Sequence, residues 1–182
     1  MILRPFEPRD AATILSWICD ETEFYKWSAD RYGRYPIAPD DVIAHYAGLA
    51  ASGRFFPLTA FEVADGAEVT PGESAVGHLI MRYTDDAGET VRFGFIIVDP
   101  ARRGEGLGRR MIEAAVAHAA GALGAKRITI GVFENNAPAR RCYAAAGFRE
   151  AACEPEYCRI LGEDRRIIEL EREIGDRAGT EA

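Results

Sequence analysis

The chain has 182 residues, 48% of them hydrophobic and 28% charged, and its formal net charge is −7. A chain of this length can bury the core of one domain. The acidic balance argues against a general nucleic-acid binder, which needs basic surface, and no apolar run approaches the ~20 residues of a membrane span. We therefore expect a cytoplasmic protein that has neither a nucleic-acid nor a membrane partner.

The first predicted elements are a strand at residues 2–5 and a helix over residues 10–18. Residues 21–39 are predicted to be an irregular connection rich in aromatic side chains, and so long a connection in a compact domain is usually functional. A second helix is predicted over residues 39–51, because a proline and two aspartates suit its first turn.

Three strands are predicted next, at residues 56–63, 75–83 and 91–98, with a turn-rich link at residues 65–74. Hairpin-length connections predict antiparallel pairing among them. A helical period then begins at residue 106, and it precedes a strand at residues 127–133, a helix at 137–146 and closing strands near 148–153 and 165–170.

The central strand–helix–strand connection requires parallel pairing. We therefore predict an α/β fold with a mixed, mostly antiparallel sheet, a central parallel β-α-β crossover and helices on both faces. Residues 1–172 are expected to form a single domain, and residues 173–182 a frayed tail.

A turn rich in glycine and arginine leads into the longest predicted helix. Backbone N–H groups at a helix N-terminus suit a phosphate or pyrophosphate group. A dinucleotide fingerprint and a P-loop, each counted from Gly104, would both need a glycine where Arg109 stands. A tight turn without a ligand is the remaining alternative. The residues of this turn are Arg102, Arg103, Gly104, Glu105, Gly106, Leu107, Gly108 and Arg109.

Two segments resemble the motifs of the GNAT acetyltransferases. The pattern Arg-x-x-Gly-x-Gly that starts at Arg103 is similar to the signature with which these enzymes hold the pyrophosphate of acetyl-CoA. A second segment, at residues 135–148, resembles the family pattern N-x-x-A-x-x-x-Y-x-x-x-G-F. Its matching residues are Asn136, Ala139, Tyr143, Gly147 and Phe148.

The resemblance extends over about residues 2–170 and implies the acyl-CoA N-acyltransferase fold. It implies an enzyme that uses acetyl-CoA as its cosubstrate, needs no metal and acetylates a primary amine of a small molecule or peptide by direct attack in a ternary complex. It also implies a monomer or a homodimer. The alternative is a non-catalytic module that binds acyl-CoA.

The resemblance further implies roles for individual residues. The pantetheine arm of the cofactor would pair with the backbone of Ile96, Ile97 and Val98, where the fourth strand separates from the fifth, and Asn136 would belong to the cofactor site. Tyr143 matches a tyrosine that lies beside the sulfur of CoA, and its hydroxyl can protonate the departing thiolate. A buried aromatic ring with a satisfied hydroxyl is the other interpretation of Tyr143.

The general base is not predicted, because Arg92 stands where some family members have a glutamate. His78 would titrate near neutrality, but a lone histidine in an apolar strand is more often a core residue. Several carboxylates and His45 are further candidates.

The acceptor site also stays open at this stage. Trp27, Asp30 and Tyr32 offer aromatic faces and a negative charge to an ammonium group. Arginines of the same region and strand, namely Arg31, Arg34 and Arg92, would instead bind a carboxylate or phosphate. The two alternatives predict opposite charges for the acceptor.

Overall fold

The computed structural model describes residues 1–63 and 74–175 of the chain. The helices of this part are α1 (Asp10–Ser16), α2 (Glu21–Ser28), α3 (Pro39–Ala50), α4 (Leu107–Ala122) and α5 (Ala137–Ala145), with a 3₁₀ turn at Pro100–Arg102. The strands are β1 (Ile2–Pro5), β2 (Phe55–Phe61), β3 (Ala75–Tyr83), β4 (Thr90–Val98), β5 (Arg127–Phe133), β6 (Arg149–Glu150), β7 (Glu156–Ile160) and β8 (Glu163–Glu173).

The strands form one sheet in the order β1-β2-β3-β4-β5-β8-β6, with β7 paired to β8 outside this path. Only the β4–β5 pair is parallel among the strands described, and α4 connects its two members. The predicted mixed sheet with a central β-α-β crossover is therefore confirmed.

Helices cover both faces of the sheet, as β3 illustrates. Leu79 and Met81 pack with the buried stripe of α4, whereas Ile80 packs with the buried residues of α1, α2 and α3. Successive side chains of a strand point to opposite faces, so the two clusters lie on opposite sides of the sheet. No helix within residues 1–63 and 74–175 is long and apolar enough to cross a membrane.

The irregular connection predicted over residues 21–39 is wrong in its first part, which forms α2. Asp20 caps this helix, since its side chain accepts a hydrogen bond of 2.7 Å from the backbone N–H of Glu23. An aspartate before two acidic residues is a helix-start signal. The aromatic residues of this segment suggested an irregular connection. In the structure, Phe24 and Trp27 form the buried face of α2 together with Ser28.

The C-terminal strands also differ from the prediction. β6 has only two residues, and β7 and β8 form a hairpin whose turn places Leu161 and Gly162 at positive φ angles of 51° and 80°. Two central residues at positive φ are typical of a tight hairpin turn. β8 extends to Glu173, so this residue of the predicted tail is in the sheet. The rest of that tail from residue 176, and the predicted link from 65 to 73, lie outside the described residues.

Candidate active site

A gap opens between β4 and β5 where their parallel ladder ends. The ladder joins Thr90–Phe93 to residues 127–130. Beyond it, β4 continues to Val98 beside β3, and β5 continues to Phe133 beside β8. The separation of the fourth and fifth strands that the resemblance implied is therefore present, and it leaves the backbone of residues 94–98 without a pairing to β5.

A bulge shapes the same part of β4. His78 pairs with Ile97 and Ile80 pairs with Gly94, so β4 carries one more residue than β3 over this interval. Phe95 lies in the bulge with a φ of 48°, a backbone conformation that costs about 1–2 kcal/mol for a residue with a side chain. The indole Nε1 of Trp27 donates a hydrogen bond of 2.9 Å to the Phe95 carbonyl. α2 therefore holds the bulge at the start of the gap.

A cleft of about 680 Å³ follows the separated end of β4. This volume is in the range of small-molecule and cofactor sites. Glu105 is the one predicted cofactor residue that does not line it, and it forms a salt bridge with Arg102 instead. The predicted cofactor residues that line the cleft are Ile96, Ile97, Val98, Arg102, Arg103, Gly104, Gly106, Leu107, Gly108, Arg109, Asn136 and Tyr143.

The glycines of the turn have two different roles. Gly104 and Gly106 have φ angles of 92° and 77°, which glycine adopts without steric cost. Gly106 is the N-cap of α4, a helix of 16 residues. A Cβ atom at Gly108 would instead lie 3.3 Å from Sγ of Cys142 on α5. The turn thus directs backbone N–H groups and the positive end of the α4 dipole into the cleft, and Gly108 lets α5 approach α4.

Arginines around this turn form ion pairs with nearby glutamates. Arg103 lies 3.2 Å from Glu23, and Arg102 and Arg110 lie 2.7 and 2.5 Å from Glu62. The hydrogen bonds from Arg102 and Arg110 hold the pKa of Glu62 below its usual value. Exposed ion pairs contribute little to stability, so these guanidinium groups can exchange a carboxylate for a phosphate at small cost.

The second motif forms the opposite wall of the cleft. Asn136 caps α5, where its Oδ1 accepts a hydrogen bond of 3.3 Å from the N–H of Ala139. Tyr143 is buried on one side of this helix. Its ring lies edge-to-face on the ring of Phe148, with the ring centroids 6.5 Å apart. Burial, with a smaller contribution from Cys142, raises the pKa of Tyr143 above its usual value. Its hydroxyl is therefore protonated at neutral pH.

A second, smaller cavity of about 130 Å³ follows β4 in the other direction from the bulge. It shares Lys26 and Trp27 with the cleft, so the two spaces meet at α2. Its other charged lining residues are Arg31, Arg82, Arg92 and Glu156.

The four residues predicted for the acceptor site do not all line this cavity. Trp27 and Arg92 do. Tyr32 stacks on Trp27, with ring centroids 6.1 Å apart and planes 11° apart, and its buried hydroxyl has no described partner. Asp30 is exposed in the turn after α2 and lines neither cavity.

Sequence analysis missed Arg82, which pairs with Arg92 across β3 and β4. Only the strand register brings the two arginines together.

His78 is a core residue. It is fully buried, its Nε2 lies 2.8 Å from the hydroxyl oxygen of Tyr46, and it lines neither cavity. Burial lowers the pKa of His78 to about 3. The neutral imidazole therefore belongs to the packing between β3 and α3.

A mixed sheet that opens between its two parallel strands, beside a phosphate-type turn at a helix N-terminus, is the architecture of the acyl-CoA N-acyltransferases. Residues 18–148 match the model of the acetyltransferase (GNAT) family. The chain belongs to this family.

Known relatives agree with that assignment. A segment of 52 residues is 40% identical to the spermine/spermidine N(1)-acetyltransferase of Bacillus subtilis (strain 168), covering 29% of this chain and 34% of that protein. The chain thus aligns with about a third of the length of this curated relative.

Solved structures resemble the chain over nearly its whole length. The spermidine N-acetyltransferase from Vibrio cholerae in complex with CoA and spermine superposes with a TM-score of 0.77 at 17% identity, covering 94% of each chain. A structure provisionally named a phosphinothricin N-acetyltransferase superposes with a TM-score of 0.69 at 22% identity, covering 96% of this chain and 99% of that one. At such identities the likeness shows the fold.

Proposed function

We propose that this chain transfers the acetyl group of acetyl-CoA to a primary amine that enters from the smaller cavity. One observation carries the proposal: the strand gap, the arginine–glycine turn at α4 and Tyr143 all line a single cleft. The first suits an extended pantetheine arm, the second a pyrophosphate and the third a thiolate that needs a proton.

The donor would be bound mainly by backbone groups. N–H groups of the turn from Gly104 to Gly108, at the positive end of α4, would donate hydrogen bonds to the pyrophosphate, and Arg102, Arg103 and Arg109 would add charge-assisted hydrogen bonds. The backbone of residues 96–98, which has no pairing to β5, would pair with the pantetheine arm. A backbone N–H at this position would also stabilise negative charge on the thioester oxygen.

Transfer then needs one attack and two proton movements. The neutral amine nitrogen attacks the thioester carbon, a C–N bond forms and the C–S bond breaks. Tyr143 donates its proton to the leaving sulfur, and the amide nitrogen releases one proton to solvent. Solvent then returns one proton to the Tyr143 phenolate, so the proton released from nitrogen and the proton taken up by the tyrosine cancel. No residue is assigned as the base that first deprotonates the ammonium group.

A polyamine is the second candidate for the acceptor. Two of the relatives are named as spermine or spermidine acetyltransferases, and the net charge of −7 would attract a cation at long range. This candidate rests on likeness to other proteins. The local charge of the smaller cavity has the opposite sign.

The test is a panel of amines incubated with acetyl-CoA, with thiol release and the mass of the acetylated amine as readouts. Enzymatic function predicts stoichiometric release of thiol and formation of the amide with at least one amine. Thermal stabilisation by CoA, without thiol release across polyamines, amino acids, aminoglycosides and peptides, would instead assign the chain to the binding modules.

A further inference from the structure

The smaller cavity is lined by more basic than acidic side chains. Four cations, Lys26, Arg31, Arg82 and Arg92, face one lining carboxylate, that of Glu156. The surrounding protein has the opposite balance, with a net charge of −7. The basic cavity is therefore a local feature and does not reflect the composition of the chain.

The positive charge is only partly neutralised within the protein. Arg92 forms a salt bridge with Glu169, which belongs to β8. No ion pair found within residues 1–63 and 74–175 includes Arg31 or Arg82. Burial, and after it the neighbouring Arg92 and Arg31, lower the pKa of Arg82 from its usual value. Arg92 and Arg31 thus lie close enough to Arg82 to repel its charge.

A guanidinium presents N–H donors in a planar fork that matches a carboxylate or phosphinate. An anion between these arginines would relieve their mutual repulsion and gain charge-assisted hydrogen bonds. The second ammonium group of a polyamine in the same place would be repelled instead. The cavity meets the cleft at Trp27. An acceptor whose anion binds near Arg82 would therefore have a path for its amine into the cleft.

We infer that the acceptor is a small amine that also carries an acidic group, as amino acids and their phosphinate or phosphonate analogues do, and that Arg82 binds this group with Arg31 and Arg92. This inference rests on the proposed acetyl transfer and adds the chemical class of its substrate. It selects the anionic alternative among the two that the sequence left open.

Paired substrates test the inference directly. Proteinogenic amino acids and their carboxamides share the amine and side chain and differ in the negative charge, and spermidine serves as the polycation. The expected kcat/KM is at least about tenfold higher for the best amino acid than for its carboxamide. In Arg82→Gln this preference is lost, while the KM for acetyl-CoA stays unchanged.

Arg34→Gln is the matched control variant. Arg34 lies on the same connection as Arg31, but it pairs with Asp41 at 2.6 Å and does not line the cavity. This variant keeps the wild-type preference for the carboxylate. An equal loss in both variants would overturn the role of Arg82.

Two results separate the inference from the proposed function. Acetylation of spermidine in preference to every amino acid, unaffected by Arg82→Gln, overturns the inference and leaves the transferase intact. Absence of thiol release with all amines overturns the transferase. In that case the thermal shift of the CoA-saturated protein decides the inference: stabilisation by amino acids that is lost in Arg82→Gln supports it, and no stabilisation by them overturns it.

Discussion

The indole N–H of Trp27 and the carbonyl oxygen of Phe95 are joined by a hydrogen bond of 2.9 Å, which ties α2 to the bulge of β4. The carbonyl belongs to the residue with the strained φ of 48°. Such strain persists only where the surroundings hold it in place. Trp27 also lines both cavities, so one side chain positions the strand and forms the boundary between the two spaces.

Replacing Trp27 by phenylalanine keeps an aromatic ring and removes the donor. The Phe95 carbonyl is partly buried, so losing its donor costs at most about 1–3 kcal/mol, and we expect the bulge to relax. The predicted result is a fall of about tenfold in kcat/KM for acetyl-CoA, measured by thiol release. Trp17→Phe is the matched control, because Trp17 is equally buried in the same core cluster but lines neither cavity. Trp17→Phe should lower the stability and leave kcat/KM for acetyl-CoA unchanged. Similar losses of kcat/KM in both variants would contradict the proposed role of Trp27.

Gly106 tests whether the conformation of the turn serves cofactor binding. A Cβ atom at this position would meet nothing within 4 Å, so Gly106→Ala changes only the cost of its φ of 77°, by about 1–2 kcal/mol. We expect a loss of stability of this size and a rise of about tenfold in the Kd for CoA, since the N–H groups at the start of α4 would be displaced. Calorimetric titration measures the Kd.

Gly53 provides the comparison for that experiment. It has a φ of 65°, and a Cβ there would also meet nothing within 4 Å, but it lies in the turn after α3. Gly53→Ala should lose a similar free energy of unfolding and bind CoA as the wild type does. Unchanged CoA affinity in Gly106→Ala would show that the turn has a purely structural role.

Tyr143→Phe tests the proposed proton donor. We expect kcat to fall about 10²-fold and the KM for acetyl-CoA to change little, because the ring that packs on Phe148 is retained. Tyr83→Phe is the control: it removes a hydroxyl that donates to the Leu123 carbonyl at 2.8 Å, outside the cleft. It should keep the wild-type kcat. Full turnover of Tyr143→Phe would exclude the tyrosine as the acid.

The pH dependence of kcat provides a separate check on Tyr143. The reaction needs the protonated hydroxyl, and burial raises the pKa of this group above its usual value. Activity that depends on it is therefore lost only as the pH rises beyond about 10, the ordinary tyrosine value. The profile of kcat should show no alkaline decline due to Tyr143 between neutral pH and that value. A decline near pH 8 that disappears in Tyr143→Phe would contradict this.

The residues that line the larger cleft were predictable because their signals are local. The glycines precede the helix that they begin, and Asn136 caps the short helix that carries Tyr143. The lining of the smaller cavity was less predictable, because it depends on the register between strands. Arg82 faces Arg92 because of the pairing between β3 and β4, which the bulge at Phe95 shifts farther along. Nothing near Arg82 in the sequence indicates that register.

His78 makes the stability of the fold depend on pH, although it lines neither cavity. Burial lowers its pKa to about 3 in the folded protein, whereas in the unfolded chain it protonates near the ordinary value of about 6.5. The unfolded state therefore binds more protons between these values, and stability falls as the pH drops below about 6.5. The slope due to this one group approaches about 1.4 kcal/mol per pH unit. Urea unfolding of the wild type and of His78→Gln at pH 7, 6 and 5 measures it.

His78→Gln should be less stable than the wild type at pH 7, because the contacts with Tyr46 and Phe6 are altered. Its stability should nevertheless depend less steeply on pH, since the variant lacks the group that titrates only after unfolding. Parallel curves for the wild type and His78→Gln would mean that His78 does not contribute to the acid sensitivity of the fold. The carboxylates that are paired in the native state would then account for it.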